Sequence, residues 1–437
     1  MSSTDTRSST PKARFLAISA EWLSQLKALP TMTPGSHWMP YVCLFLYPIL
    51  ILQVKSGGSA MLALFLFSGV YMLIKEKANW DIKPILPLYY CFVFFWLVDF
   101  VTAGLAEREP VAGMLSSFTQ IHFLAFPLFF VILCQLKYRF PVLLLGALVA
   151  LLFAVGVSIY QLYTTRFGRA HGGINAILFA NIVLLQMSFV AIYALKNSRL
   201  WLWIFVALGL VPIVLSLSRG TLLALLPLLI TFLIYSKGIK GAWFKSRVFH
   251  CSLIIVIFVS FAFWDKLESR MERTYDDVVA YSNGSNQASS IGYRLLMYQG
   301  GMELFAKYPW LGVGRENTNI MLSETTVINS ENRIVTELTH LHNEYLTTLV
   351  GSGLFGLLSL FFLLIAPYFI VASRTRELFL RRQVFSLCLL YSIYGLSNLA
   401  FDNGTLNGFF VLILAIVFSS LKNDKSHSSS ILFGFSK

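Results

Sequence analysis

The chain has 437 residues, of which 57% are hydrophobic and 13% charged, with a formal net charge of +13. Soluble globular proteins carry about 25% charged residues, so this composition excludes a soluble enzyme, a disordered chain and a disulfide-rich secreted scaffold. It is the composition of a polytopic membrane protein, in which a basic balance reflects the cytoplasmic bias of Lys and Arg and not a nucleic-acid partner.

Residues 1–37 are polar, with Arg7, Lys12, Arg14 and Lys27, and contain no apolar segment ahead of a small-residue cleavage site; they read as a cytoplasmic arm. Beyond them, a membrane-crossing helix needs about 20 apolar residues. Twelve stretches qualify: 38–54, 59–74, 84–104, 113–136, 141–163, 174–195, 200–217, 220–236, 248–264, 345–372, 383–400 and 405–421. The predicted fold is therefore all-α. Arg219 and Gly220 divide the seventh stretch from the eighth, because a charge is expensive inside lipid and a tight interfacial turn is not. Cys43, Cys91, Cys134, Cys251 and Cys388 fall in or beside apolar runs without a C-x-x-C pair and read as small hydrophobes.

With the N-terminus inside, twenty-two of the 34 Lys and Arg fall on cytoplasmic segments and five on short outer loops. The same alternation puts both termini in the cytoplasm, with 422–437 as a C-terminal tail. The long segment 265–344 follows the ninth stretch and faces outward. Leu267, Met271, Tyr275 and Val278 share one helical face there, and a polar break at Ser282 to Ser290 precedes a second helical pattern over 292–306. Lys307-Tyr308-Pro309 stops that helix, and Gly312 and Gly314 mark a turn.

No P-loop, H-E-x-x-H or D-x-D pattern is present. The chemistry-bearing residues gather instead on the predicted outer face. His340 and His342 stand where the long loop meets the tenth stretch, and a histidine there can accept a proton near neutral pH. Arg219, Arg294, Arg166 and Arg169 run against the charge bias of an outer face. Arginine forks bind phosphate bidentately, and two or more would hold a pyrophosphate without a metal. Asp402 lies in the Phe-Asp-Asn-Gly turn between the last two stretches, and Asp99 is a carboxylate within the third. A base, several arginines and a carboxylate on one membrane face suit a lipid-linked pyrophosphate; composition alone does not separate this from an anion transporter.

Three segments carry a resemblance. His342-Asn343, followed after nine residues by Gly353-Leu354-Phe355-Gly356, resembles the signature of the bacterial O-antigen ligases and their relatives. SRGTLLALL at 218–226 and GYRLLMYQGGMELFAKYPWLGVG at 292–314 resemble two further family segments, in the same order. The wider family includes O-antigen polymerases and protein O-oligosaccharyltransferases, and the layout looks most like a ligase. The resemblance implies a GT-C-like membrane protein of the bacterial inner membrane, working on its periplasmic side without a cofactor. It implies inverting, metal-independent transfer of a glycan from undecaprenyl pyrophosphate to a sugar hydroxyl of lipid A-core. It further implies that His342 is the general base, that Arg219 and Arg294 hold the pyrophosphate, and that Asp402 supports them. Arg166, Arg169 and His340 stand as supporting candidates.

Overall fold

The structure, a computed structural model, describes residues 38–78, 80–106, 110–164, 169–197, 199, 201–236, 264–283, 289–327 and 340–432. Among these residues regular structure is entirely helical. In chain order the helices are α1 (Trp38–Gln53), α2 (Gly57–Glu76), α3 (Leu86–Gly104), α4 (Pro110–Ser116), α5 (Ile121–Leu124), α6 (Phe126–Gln135), α7 (Arg139–Thr164), α8 (Ala176–Asn197), α9 (Leu202–Leu215) and α10 (Arg219–Ser236). They continue as α11 (Trp264–Ser282), α12 (Ser290–Lys307), α13 (Thr318–Leu322), α14 (Glu344–Arg374), α15 (Leu378–Gly395) and α16 (Gly404–Leu432). Seven helical segments are long and apolar enough to cross a membrane, and α1, α9 and the first part of α10 are shorter apolar helices. The protein is an all-α polytopic membrane protein.

Eleven of the twelve apolar stretches coincide with described helices, while the ninth, with Cys251 and the 1–37 arm, lies outside the described residues. Two boundaries differ from the sequence expectation. The eleventh stretch is helical only from Leu378 to Gly395, and residues 396–403 form an irregular turn. The last helix continues to Leu432, into the segment expected to be a tail.

Helices α8 and the apolar part of α16 are buried almost all round, as helices without a polar face must be, and form the centre of the bundle. An aromatic layer joins α16 to α3, α5, α6 and α15 through Phe92, Phe123, Phe126, Tyr391, Phe401 and Phe410. Ring pairs here lie 4.8–6.4 Å apart, most of them tilted or edge-on. The 3-10 turn Ser117–Gln120 interrupts the fourth apolar stretch because Ser117 and Gln120 turn their side chains to the Asp99 carboxylate.

A second, smaller core belongs to the long loop: Leu296, Met297, Leu304, Val313, Leu322 and Leu341 pack with Val350 of α14. The loop is also stitched into α14 through its backbone. Gly353 has φ 65° and breaks the helix. The carbonyls freed before the break accept from the loop (Val313 N–H to Val350 O, 2.9 Å; Gly314 N–H to Gly351 O, 2.8 Å), and Leu354 N–H donates back to Pro309 O at 2.9 Å. A Cβ at Gly353 would lie 2.2 Å from the Trp310 backbone, and one at Gly312 (φ 69°) would lie 2.4 Å from Val350 O. The glycines of the G-x-G turn and the G-x-x-G motif are thus two sides of one interlock.

Gly353→Ala should lower the midpoint of thermal unfolding in detergent by the equivalent of at least about 2 kcal/mol, combining strain at positive φ with a backbone clash. Gly156→Ala is the control: nothing lies within 4 Å of its Cβ position, so its effect should stay within roughly 1 kcal/mol. Equal behaviour of the two variants would remove the interlock from the account.

Candidate active site

The turn between α9 and α10 is built from its own serines. Ser216 Oγ accepts from Ser218 N–H at 3.2 Å, and Ser218 Oγ lies 3.0 Å from Thr221 Oγ1. Leu217 adopts φ 52°, an unusual backbone for a leucine, and so turns the chain sharply into α10 with Arg219 at its first residue. Gly220 follows because a Cβ there would meet Ser397 Oγ at 2.3 Å; the 396–403 turn lies directly on the start of α10. A second segment closes over this corner: Ala170 N–H donates to Leu215 O at 2.9 Å, and Arg169 Nε to Ser216 O at 2.9 Å. Arg294 arrives from α12, whose start is capped by Ser289 Oγ accepting from Gly292 N–H at 3.0 Å.

These elements enclose a cavity of about 340 Å³ lined by Arg169, Arg219, Arg294, Asp277, Ser218 and Ser397, among others. Three of the four arginines singled out in the sequence therefore meet in one place. Arg166 lies outside the described residues. Such a cluster can neutralise a polyanion with fork geometry.

His340 and His342 sit beside this cluster. Their rings are edge to face with centroids 4.1 Å apart, and His340 Nδ1 accepts from His342 N–H at 3.2 Å. His342 has φ 52°, a left-handed backbone held between that hydrogen bond and Asn343, which caps α14 through Leu346 N–H (3.0 Å) and donates to Leu396 O (3.2 Å). Burial, then the neighbouring His340, then the charge of Arg294 lower the His342 pKa to about 4. Burial lowers that of His340 as well. Among the described residues, His342 Nδ1 is buried without a hydrogen-bond partner. At neutral pH the ring is uncharged and able to take a proton.

The structure adds a residue that sequence reading missed. Arg315 follows the interlock and turns its side chain, 8% exposed, between two carboxylates: Nε lies 2.8 Å from Asp99 Oδ1 and Nη2 lies 3.4 Å from Glu344 Oε1, with Thr348 Oγ1 at 2.9 Å. Asp99, without an assigned partner in the sequence, is this arginine's counter-ion. Burial opposes the Arg315 charge, but Asp99, Glu344 and Asp402 outweigh it, so its pKa rises above the ordinary guanidinium value. Glu344 Oε2 accepts from Ala400 N–H (2.7 Å) and Phe401 N–H (3.0 Å), which is why residues 396–403 leave the helix. Asp402 follows. Its side chain opens onto a recess yet is sunk deep among protein atoms, and that burial raises its pKa to about 7 against the opposing pull of Arg315. Among the described residues no group of three or more His, Cys, Asp or Glu side chains is placed to hold a metal ion.

Residues 203–361 match the model of the family described as O-antigen ligase. The family segment holds Arg219, Arg294, Arg315, His340, His342 and Gly353, whereas Asp99, Arg169 and Asp402 lie outside it. The O-antigen ligase of Escherichia coli (strain K12) is 27% identical over 214 residues, which cover 47% of this chain and 49% of that protein. An uncharacterized protein of Haemophilus influenzae (strain ATCC 51907 / DSM 11121 / KW20 / Rd) is 24% identical over 135 residues, covering 30% of this chain and 33% of that one. The match thus spans about half the length of the first relative and a third of the second.

Removing one partner of a buried ion pair leaves an uncompensated charge. Arg315→Met should therefore destabilise the fold by roughly 3–5 kcal/mol. Thermal unfolding in detergent measures this, and an unchanged midpoint would show that the Asp99 and Glu344 carboxylates do not depend on Arg315.

Proposed function

We propose that this chain is an O-antigen ligase, transferring a glycan from undecaprenyl pyrophosphate to a sugar hydroxyl of lipid A-core in lipopolysaccharide assembly. The observation that carries the reading is the convergence of Arg169, Arg219 and Arg294 on one cavity beside an uncharged His342. The proposed setting is the inner membrane, with residues 265–344 and the site on the periplasmic side and both termini in the cytoplasm.

Arg219 and Arg294 hold the donor pyrophosphate. Arg169 is tied through Nε to Ser216 O and supports that wall of the cavity. The acceptor hydroxyl attacks the anomeric carbon from the face opposite the pyrophosphate and gives its proton to a ring nitrogen of His342. The bond from the anomeric carbon to the pyrophosphate oxygen breaks as the new glycosidic bond forms, which inverts the centre. The departing electron pair stays on undecaprenyl pyrophosphate, where the arginines neutralise it. Pyrophosphate is already a good leaving group, so positioning and charge neutralisation supply most of the acceleration, and neither ATP nor a cofactor enters.

A base of pKa about 4 is weak for this task, and the donor itself strengthens it. Arg294 is one of the charges lowering the His342 pKa. A bound pyrophosphate offsets that charge, so the pKa rises in the enzyme–donor complex. Below its pKa the ring is protonated and inactive. The acid limb of kcat, which reports the complex, should therefore lie at higher pH than that of kcat/KM, which reports free enzyme. Coincident limbs would show that the donor does not offset the Arg294 charge at His342.

The defining experiment supplies purified protein, without ATP or divalent metal, with undecaprenyl-pyrophosphate-linked glycan and lipid A-core, and identifies the product by gel and mass spectrometry. Glycan on lipid A-core is the expected result. Longer glycan still on undecaprenyl pyrophosphate would make the chain a polymerase. His342→Ala should abolish transfer while leaving folding intact, and Arg294→Ala should lower kcat by about 10²–10³. A fully active His342→Ala variant would remove the base assignment.

A further inference from the structure

A second recess opens beside the arginine cavity and is larger, about 660 Å³, within the roughly 300–1,000 Å³ range of small-ligand sites. Its walls include Lys55, His171, Asn175, Asp402, Asn403 and Thr405. The two spaces share two structural walls. The start of α8 presents Ile177 to the arginine cavity and Asn175 with Leu178 to the recess; the turn after α15 presents Ser397 to the first and Asp402 with Asn403 to the second.

The lining is built and polar. Gln161 Oε1 accepts from His171 N–H (2.8 Å) and Gly172 N–H (3.0 Å), while its Nε2 donates to Gly172 O (2.7 Å), so the loop carrying His171 is held from inside the bundle. Gly173 N–H is fixed to Leu52 O at 3.0 Å, next to the turn that carries Lys55. Asn175 and Asn403 each use the side-chain oxygen to cap a helix start, through Ile177 N–H (2.8 Å) and Thr405 N–H (3.0 Å), which leaves their amide N–H groups as donors. The Asp402 carboxylate accepts no hydrogen bond from any described residue. A cationic end, two amide donors and a carboxylate open to the recess are complementary to a saccharide bearing an anionic substituent. Its phosphate or carboxylate would face Lys55 and His171, and its hydroxyls would donate to Asp402 and accept from the amides.

We infer that this recess binds the acceptor: an oligosaccharide carrying a phosphate or carboxylate group, presented across the 396–403 turn to the arginine cavity. The inference rests on the proposed glycosyl transfer, since it takes the arginine cavity as the donor side. Lys55 is a binding residue for the anionic substituent, and its contribution is to acceptor affinity.

The test measures equilibrium binding to the full-length protein in detergent with three fluorescent probes. They are lipid A-core glycolipid, its delipidated phosphorylated oligosaccharide, and the same oligosaccharide after phosphatase treatment. The delipidated phosphorylated probe should bind wild-type protein, and Lys55→Ala should weaken it about tenfold, comparable to the loss on phosphatase treatment. Lys55→Arg should restore most of the affinity, and Arg294→Ala should leave it within twofold. In the transfer assay Lys55→Ala should raise KM for the acceptor about tenfold, with KM for the donor and kcat at saturating acceptor unchanged. Wild-type affinity in Lys55→Ala would overturn the inference. So would an equal loss in Arg294→Ala, which would put the saccharide in the arginine cavity, or binding confined to the lipid-bearing probe, which would make the lipid and not the sugar the recognised part. Saccharide binding that depends on Lys55 but no transfer by wild-type protein would sink the proposed reaction and leave the recess standing.

Discussion

The arrangement of the site depends on one buried cation. Arg315 reaches from the long loop to Asp99 on α3 and to Glu344 at the head of α14, and Glu344 in turn holds the backbone of Ala400 and Phe401. Its guanidinium also stands over the Phe95 ring at 5.9 Å, within the aromatic layer. A single charged group thereby ties together loop, two helices and the turn after α15. His342 and Asn343 immediately precede Glu344, and Ser397 and Asp402 belong to that turn, so His342, the wall of the arginine cavity and the acidic residue all inherit their positions from this pairing. Buried ion pairs add little net stability compared with apolar packing but fix geometry, since a displaced partner leaves a bare charge.

The apolar spans were legible in the sequence because each is a long hydrophobic run with its own stop signals. The division at Arg219 and the stop at Lys307-Tyr308-Pro309 were legible for the same reason: charge in lipid and proline in a helix are local penalties. The end of α15 was not. Residues 396–400 (Leu-Ser-Asn-Leu-Ala) hold no proline, glycine or charge to stop a helix, and what unwinds them is Glu344, more than fifty residues earlier in the chain. The gathering of arginines was half legible. Their types and sidedness marked Arg169, Arg219 and Arg294 as a group, but only the hydrogen bonds from Ala170 N–H and Arg169 Nε to the 215–216 corner show how a separate loop reaches the same cavity.

Arg315 and Glu344 escaped notice because nothing in their neighbourhood sets them apart: an arginine after a G-x-G turn reads as a loop charge, and a glutamate one residue past His-Asn reads as a first-turn acid favoured by the helix dipole. Asp99 was conspicuous but unpaired, since its partner lies in a different segment of the chain. The motif glycines were noticed for their spacing and are explained by the interlock. Gly312 and Gly353 take conformations other residues resist, and Gly220 and Gly351 give their space to Ser397 and Arg315.

The interlock between residues 309–314 and the break in α14 also limits how the site can be entered. Paired on both sides of Gly353, that part of the loop cannot swing away as a flap without unzipping four backbone hydrogen bonds. The wall that carries Arg294 therefore travels with α14 as one piece. For the proposed lipid-borne donor, room would have to be made on the opposite side, where α11 brings Asp277 to the arginines and still leaves Tyr275 and Val278 uncovered. The molecule thus has a fixed jaw, which carries Arg294 and His342, and a facing one that is more exposed.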